Sequence, residues 1–156
     1  MLTVYVDADA CPVKDEVYRV ARRYDLRVSV VTRTRLRVPA GPLFERVVRG
    51  GFGEVDDWIA EQAGEGDLVV TADVPLAARC LERGARVLDH KGRPFTEADI
   101  GSVLATRELM AELRQGGEVT GGPAPMTPRD RSRFLSKLDE QLNALLRAHP
   151  RVPPAT

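Results

Sequence analysis

Five aspartates stand where an acidic site would need them. One pair closes the stretch Val4-Tyr5-Val6-Asp7-Ala8-Asp9-Ala10-Cys11-Pro12, in which one carboxylate directly follows an apolar, β-branched run and a second follows two residues later. The stretch Val69-Val70-Thr71-Ala72-Asp73-Val74-Pro75 repeats the arrangement, with an Asp between a strand-like run and a helix start. Asp56 and Asp57 follow a glycine turn and fall in the first turns of a helix. Carboxylates gathered at one edge repel, and each raises the pKa of its neighbours unless a cation intervenes. Mg²⁺ and Mn²⁺ prefer oxygen ligands and keep some of their waters. An ion held there activates water and stabilises charge on a phosphoryl group. The Thr71 hydroxyl offers a further neutral ligand.

Each of these aspartates also has a plainer reading. Asp after a strand often caps a helix or forms a turn. Asp73 fits an N-cap for the helix from Val74, and Asp9 fits one for the helix near Pro12. One of Asp56 and Asp57 fits a helix dipole, and spacing does not choose which of them faces a site. Taken together, on strands expected to be neighbours, they argue for a shared site. Lys14, one turn past Cys11, reads either as a cation at the same edge or as a solvated first-turn lysine. Cys11 lies near a helix start, where a thiol can become reactive. No histidine is placed to act as its base, and packing is the simpler role. His90 and His149 have no metal-ligand spacing, and Trp58 reads as core rather than as a stacking platform.

The elements that position these groups follow from periodicity. Apolar runs predict strands over 2–6, 26–31, 44–48, 67–71 and 85–88. Helical spacing predicts helices over 13–24, 54–63 and 74–83, the last stopped by Gly84. Strands alternating with helices imply βαβ units and a mainly parallel sheet. Right-handed crossovers then gather the strand carboxyl ends on one edge, where ligands bind near the topological switch point. Beyond residue 88 the spacing predicts a helix over 99–114, a Gly/Pro-rich loop over 115–128 and an amphipathic helix over 130–148 carrying Phe134, Leu138 and Leu142.

The 156 residues make one domain with a helical extension and no internal repeat. Apolar content of 43% supports a core, and with only 5% aromatics aliphatic side chains must fill it. A net charge of zero excludes a global attraction to nucleic acid or membrane. Locally, however, nine Arg against Asp25 and Glu45 give +7 between Arg19 and Arg49. Arg suits bidentate phosphate contacts, although the abundance of Arg over Lys also fits a base-composition bias. Two cysteines without knuckle spacing read as reduced thiols. The chain opens into a strand, with no basic segment leading an apolar one and no run long enough to span a membrane. The expectation is a cytoplasmic protein with no membrane association and no obligate protein partner.

Residues 6–14 (VDADACPVK), 66–78 (GDLVVTADVPLAA) and 121–125 (GGPAP), followed by Asp130-Arg131, together closely resemble the YaiI/YqxD family of bacterial proteins, and the likeness runs roughly over 2–146. That family looks like a branch of the PIN-like superfamily of metal-dependent ribonucleases. The resemblance implies an α/β, PIN-like three-layer fold with a central, mainly parallel sheet flanked by helices and a C-terminal helical extension. Its parts would be an α/β domain over 1–115, a loop over 116–128, a helix over 129–149 packed on the same domain, and a tail over 150–156. It also implies a Mg²⁺ or Mn²⁺ site on Asp7, on Asp56 or Asp57, and on Asp73, with Asp9 added. The Gly-Gly-Pro loop with Asp130-Arg131 reads as a lid or buttress, or simply as a linker and a capped helix.

The leading expectation is a metal-dependent phosphodiesterase acting on RNA. Asp7, Asp57 and Asp73 would hold the metal and Asp9 would assist. Lys14, Thr71, Arg33, Arg35, Arg37 and Arg131 would meet the substrate, with Arg46 and Arg49 near the phosphates. A haloacid-dehalogenase-like phosphohydrolase also uses a strand followed by Asp-x-Asp, with the first Asp as nucleophile. Against it, Cys11 stands where that motif wants Thr or Val. A non-catalytic nucleic-acid or nucleotide binding module is the third possibility.

Overall fold

Short runs of Val, Leu and Tyr bounded by polar or glycine residues form the strands, and the computed structural model describes residues 2–9, 11–98, 100 and 125–150. The strands are β1 (Thr3–Asp7), β2 (Arg27–Thr32), β3 (Phe44–Val48), β4 (Leu68–Val70) and β5 (Arg86–Leu88). They form one sheet in the order β3-β2-β1-β4-β5, and every pairing is parallel. The helices are α1 (Lys14–Arg23), α2 (Glu54–Gln62), α3 (Val74–Glu82) and α4 (Pro128–Ala148). Each strand and each of the first three helices lies within about a residue of its expected bounds, the normal scatter at element ends. The all-parallel sheet with helices on both faces is the α/β class expected.

Two apolar layers sandwich the sheet. Val4, Val6, Val28, Val30, Leu68 and Val70 point to one face and pack with α1 and with Phe134, Leu138 and Leu142 of α4. Tyr5, Val31, Val69 and Val87 point to the other and pack with Val55, Ile59 and Ala60 of α2 and with Leu76 and Ala77 of α3. The period-two alternation of strands places successive side chains on opposite faces. The chain runs outward from β1 to β2 and β3, then crosses to β4 and β5 on the other side. The reversal therefore falls between β1 and β4, the kind of place where ligands bind in open parallel sheets.

The long helix α4 begins two residues before its expected start. Thr127 caps it, accepting from the Asp130 N–H at 3.1 Å, and Asp130 accepts in return from the Thr127 N–H at 3.1 Å. This reciprocal box satisfies two of the orphan donors of the first turn. Tyr24 and Arg23 tie α1 to Asp139 on α4. Among the described residues no helix is long and apolar enough to cross a membrane. The helix expected over 99–114 and the Gly-Gly-Pro segment lie, apart from Ile100, outside the described residues.

Candidate functional site

Strand parity decides which side chains reach the switch point. Asp7 is in phase with Tyr5, and Thr71 is in phase with Val69, so both lie on the α2/α3 side of the sheet. The register pairs Val6 with Val70, so Asp7 and Thr71 end adjacent strands. The Thr71 hydroxyl, fully buried, donates to Asp7 Oδ2 at 2.8 Å and accepts from the Asp73 N–H at 3.0 Å. The hydroxyl expected to meet substrate or metal thus gives its proton to the Asp7 carboxylate and one lone pair to the Asp73 backbone. Asp73 caps α3, its Oδ1 accepting from the Leu76 N–H at 2.9 Å, and it also lines the cleft. The cap reading therefore holds and engages Oδ1, while the same residue borders the cleft.

A cleft of about 450 Å³ opens above these strand ends, lined by Asp7, Asp9, Arg33, Asp56, Asp73 and the Gly51-Phe52-Gly53 turn with Val55. The third acid is Asp56, where Asp57 was the expected choice. The buried Val55, Ile59 and Ala60 set the rotation of α2. At about 100° per residue, Asp56 falls inside that inward arc and Asp57 beyond it. Asp57 instead reaches Arg79 of α3 at 2.8 Å, half exposed. Asp56 itself has no hydrogen bond or ion pair among the described residues.

Asp9 lines the cleft, but both its oxygens are occupied. One accepts from the Thr32 hydroxyl and the other from the Arg33 N–H, each at 2.9 Å. It caps no helix; it ties the β1 loop to the end of β2. Arg33 lines the same cleft. Phe52 is 100% exposed on the rim, on a turn that Gly53 closes with a left-handed φ of 72°. An aromatic ring left wholly in water forgoes a large burial gain, and here it stands beside a polar cleft. No sequence signal marked it, because a Phe between glycines reads equally well as a buried turn residue.

The electrostatics reflect crowding in a half-dry place. Burial raises the Asp7 carboxyl to about 6; the Thr71 hydrogen bond opposes that shift, and the charges of Asp56, Asp73 and Asp9 add to it. Asp56 is raised by burial and then by Asp73, with Arg79 opposing. Asp7 Oδ1, Asp73 Oδ2 and the Asp56 carboxylate keep lone pairs free of protein partners among the described residues. In these side-chain positions no three carboxylate, imidazole or thiol groups among the described residues converge tightly enough to cage an ion. The donors do suit Mg²⁺ or Mn²⁺, which bind through one or two carboxylates and retain their waters.

The other expected residues lie elsewhere. Lys14 Nζ donates to the Cys11 carbonyl at 2.8 Å and reaches the Ala8 carbonyl at 3.5 Å, closing the β1–α1 loop instead of facing the acids. Arg131 donates to the Pro12 carbonyl at 2.6 Å and pairs with Glu16 at 3.1 Å, clamping α4 to the start of α1. It is therefore a buttress and does not line the cleft. Arg35 is exposed and does not line this cleft, Arg37 borders a different one, and Arg46 donates to the Leu36 carbonyl. Cys11 and Cys80 are buried, and burial pushes both thiols up to about 11, which leaves them packing groups. Trp58 packs edge-on to Tyr5 at 6.0 Å.

Comparison with known proteins gives a consistent result. A UPF0178 protein of Rhodopseudomonas palustris (strain BisB18) is 59% identical over 147 residues, covering 94% of this chain and 95% of the relative. One from Nitrobacter winogradskyi is 56% identical over 148 residues, 94% of each. The UPF0178 protein bll3966 of Bradyrhizobium diazoefficiens is 58% identical over 145 residues, 92% of this chain and 87% of its own. No solved structure matches the chain. The family description matched, an uncharacterised bacterial YaiI/YqxD family, spans residues 5–144. With carboxylates at the ends of β1 and β4 and relatives matched over nearly their full length, the chain belongs to the YaiI/YqxD family of uncharacterised bacterial proteins.

Proposed function

We propose that the chain is a Mg²⁺- or Mn²⁺-dependent ribonuclease of PIN-like type that hydrolyses phosphodiester bonds at the carboxyl-edge cleft. One observation carries this reading. A half-buried Asp7, raised to about 6, shares the switch-point cleft with Asp56 and Asp73, and among the described residues oxygens of all three have no hydrogen-bond partner. Crowded, half-buried carboxylates raise one another's pKa, and a bound cation would relieve that repulsion. Asp7, Asp56 and Asp73 would supply its ligands. A bound ion would acidify a water and offset charge developing on the phosphoryl group.

The chain's own residues complete the site. Thr71 holds Asp7 in orientation, and Asp9 fixes the backbone that presents Arg33. Arg33 would take a non-bridging phosphate oxygen as a charge-assisted donor. Phe52 supplies an exposed face on which a base would stack, a contact worth about 1–3 kcal/mol per base. The haloacid-dehalogenase alternative is weakened because Asp9, the second acid of that motif, has both oxygens engaged by β2 and the segment after it.

The test uses purified chain, end-labelled single-stranded and structured RNA, and Mn²⁺. Expected are cleavage abolished by EDTA and a loss of at least 100-fold in Asp7→Asn and Asp73→Asn, both still folded by circular dichroism. Undiminished cleavage by those variants, or none by wild type on any RNA, would sink the enzyme reading. The wide placement of the acids favours a second reading, a non-catalytic binding module. Equal RNA affinity with and without metal, in the absence of cleavage, would establish it.

A further inference from the structure

A second cleft, of about 500 Å³, lies between α1 and the segment that follows β2. Asp15, Tyr18, Arg19 and Arg22 form one stripe of α1, and Arg37, Val38 and Pro39 form the facing wall. Spacings of three, four and seven residues put the α1 groups on one helical face. Three guanidinium groups meet a single carboxylate there.

Three arginines elsewhere find carboxylate partners. Arg23 pairs with Asp139, Arg79 with Asp57, and Arg131 with Glu16. Arg19 and Arg37 have no ion pair or hydrogen bond among the described residues, and Asp15 pairs with neither. Arg22 is held by a ring instead of an acid: its guanidinium lies 5.1 Å from the Phe44 centroid, and Phe44 in turn packs edge-on against Tyr18 at 5.5 Å. Stacking fixes the guanidinium plane and leaves its hydrogen-bonding edge free.

Tyr18 adds a separate observation. It is 7% exposed, and its hydroxyl is buried with no hydrogen-bond partner among the described residues. Burial pushes that hydroxyl up to about 12, so it keeps its proton. A buried hydroxyl without an acceptor is a cost that a fold normally avoids.

We propose that this cleft is a phosphate-binding subsite, separate from the acidic cleft, in which Arg19, Arg22 and Arg37 take phosphate oxygens. Guanidinium forks match the several equivalent oxygens of a phosphate, and three of them suit it better than a two-oxygen carboxylate. Asp15 limits the net excess to two positive charges and can accept from a hydroxyl on the same ligand. The phosphate has two possible sources, a small phosphorylated molecule or the backbone of an RNA strand. Arg33 and Arg37 lie four residues apart on one segment, and Arg33 lines the acidic cleft. Four residues span at most roughly 14 Å, so a single strand can reach both clefts. In that form the inference rests on the RNA reading above; phosphate binding itself does not.

The experiment measures binding to the full chain in EDTA, which removes any contribution from metal or cleavage. The probes are inorganic pyrophosphate and a short oligouridylate. The variants are Arg37→Gln and the double variant Arg19→Gln/Arg37→Gln, each checked for an unchanged circular-dichroism spectrum. Pyrophosphate should bind wild type and weaken at least 10-fold in the double variant, with Arg37→Gln intermediate. If RNA spans the clefts, the double variant should also weaken oligouridylate at least 10-fold. Its log–log salt slope should fall by about 1.4, two phosphates at about 0.7 each for a single strand. Loss of pyrophosphate with unchanged RNA binding would identify a small-ligand pocket, which also supports the subsite. Failure of wild type to bind either probe, or equal binding by wild type and double variant, overturns it. Arginine-dependent binding without Mn²⁺-dependent cleavage would leave the subsite standing and remove only the nuclease reading.

Discussion

Two carboxylates sit at opposite ends of the same strand pair, β1 and β4, and their fates differ. At the amino end, Asp67 accepts from the Thr3 N–H at 3.0 Å and from the Gly64 N–H at 3.1 Å, one bond to each oxygen. It stitches β1 to the turn before β4. At the carboxyl end, Asp7 accepts one bond among the described residues, from Thr71, keeps one oxygen without a partner among them, and faces three further acids. The fold has used the first carboxylate completely and has left the second in reserve. Unspent hydrogen-bonding capacity at a half-buried charge separates a candidate site from a structural staple, even where residue type and strand are shared.

The comparison predicts opposite responses to mutation. Asp67→Ala orphans two backbone donors and should lower unfolding free energy the most, by about 3 kcal/mol at neutral pH in urea denaturation. A change under about 1 kcal/mol would break the contrast. For Asp7 the folded pKa is raised above its unfolded value, so its contribution is fully present below about pH 4 and is lost as pH rises through about 6. In EDTA, Asp7→Asn should therefore be more stable than wild type by about 2 kcal/mol at pH 7.5 and nearly equal to it at pH 4. A variant less stable at pH 7.5 would show that Asp7 also belongs to the scaffold. Mn²⁺ should raise the thermal midpoint of wild type and leave that of Asp7→Asn unmoved.

Thr71→Val sharpens the contrast further. It removes the donor to Asp7 and the acceptor for the Asp73 N–H, and should cost about 1.5 kcal/mol. Because that donor lowers the Asp7 pKa, the carboxyl of the variant should titrate above 6 by NMR. The smallest effect is expected for Asp57→Asn. Its exposed pair with Arg79 is worth under about 0.5 kcal/mol, and Mn²⁺-dependent cleavage should stay unchanged where Asp56→Asn loses it.

Much of the frame was legible in the residues. Apolar runs located the five described strands, and an Asp closing such a run marked the carboxyl edge, because a charge on a strand covered on both faces is tolerated where the strand emerges from the core. The side of the sheet also follows from parity, since Asp7 and Thr71 alternate in phase with Tyr5 and Val69. The choice between Asp56 and Asp57 depended on the rotation of α2, which Val55, Ile59 and Ala63 encode but which only packing makes visible. Lys14 and Arg131 were misplaced because long cations satisfy nearby carbonyls of the chain as readily as a ligand. The basic cleft was hidden for another reason: Arg19 and Arg37 are 18 positions apart in sequence. They share a cleft only because the connection from β2 to β3 passes over α1 without a helix of its own.

The Asp7–Thr71 hydrogen bond joins residues 64 positions apart. A contact of that span forms only after a large loop has closed, and such closures are the slow part of folding. The acidic cleft therefore comes into being late, once β4 has docked beside β1. A ribosome-bound chain that has made only β1, α1, β2 and β3 carries Asp7 and Asp9 but no cleft. During refolding, metal affinity should lag behind helix formation and rise together with protection of the β1–β4 amides, which makes the site a clock for the central seam of the sheet.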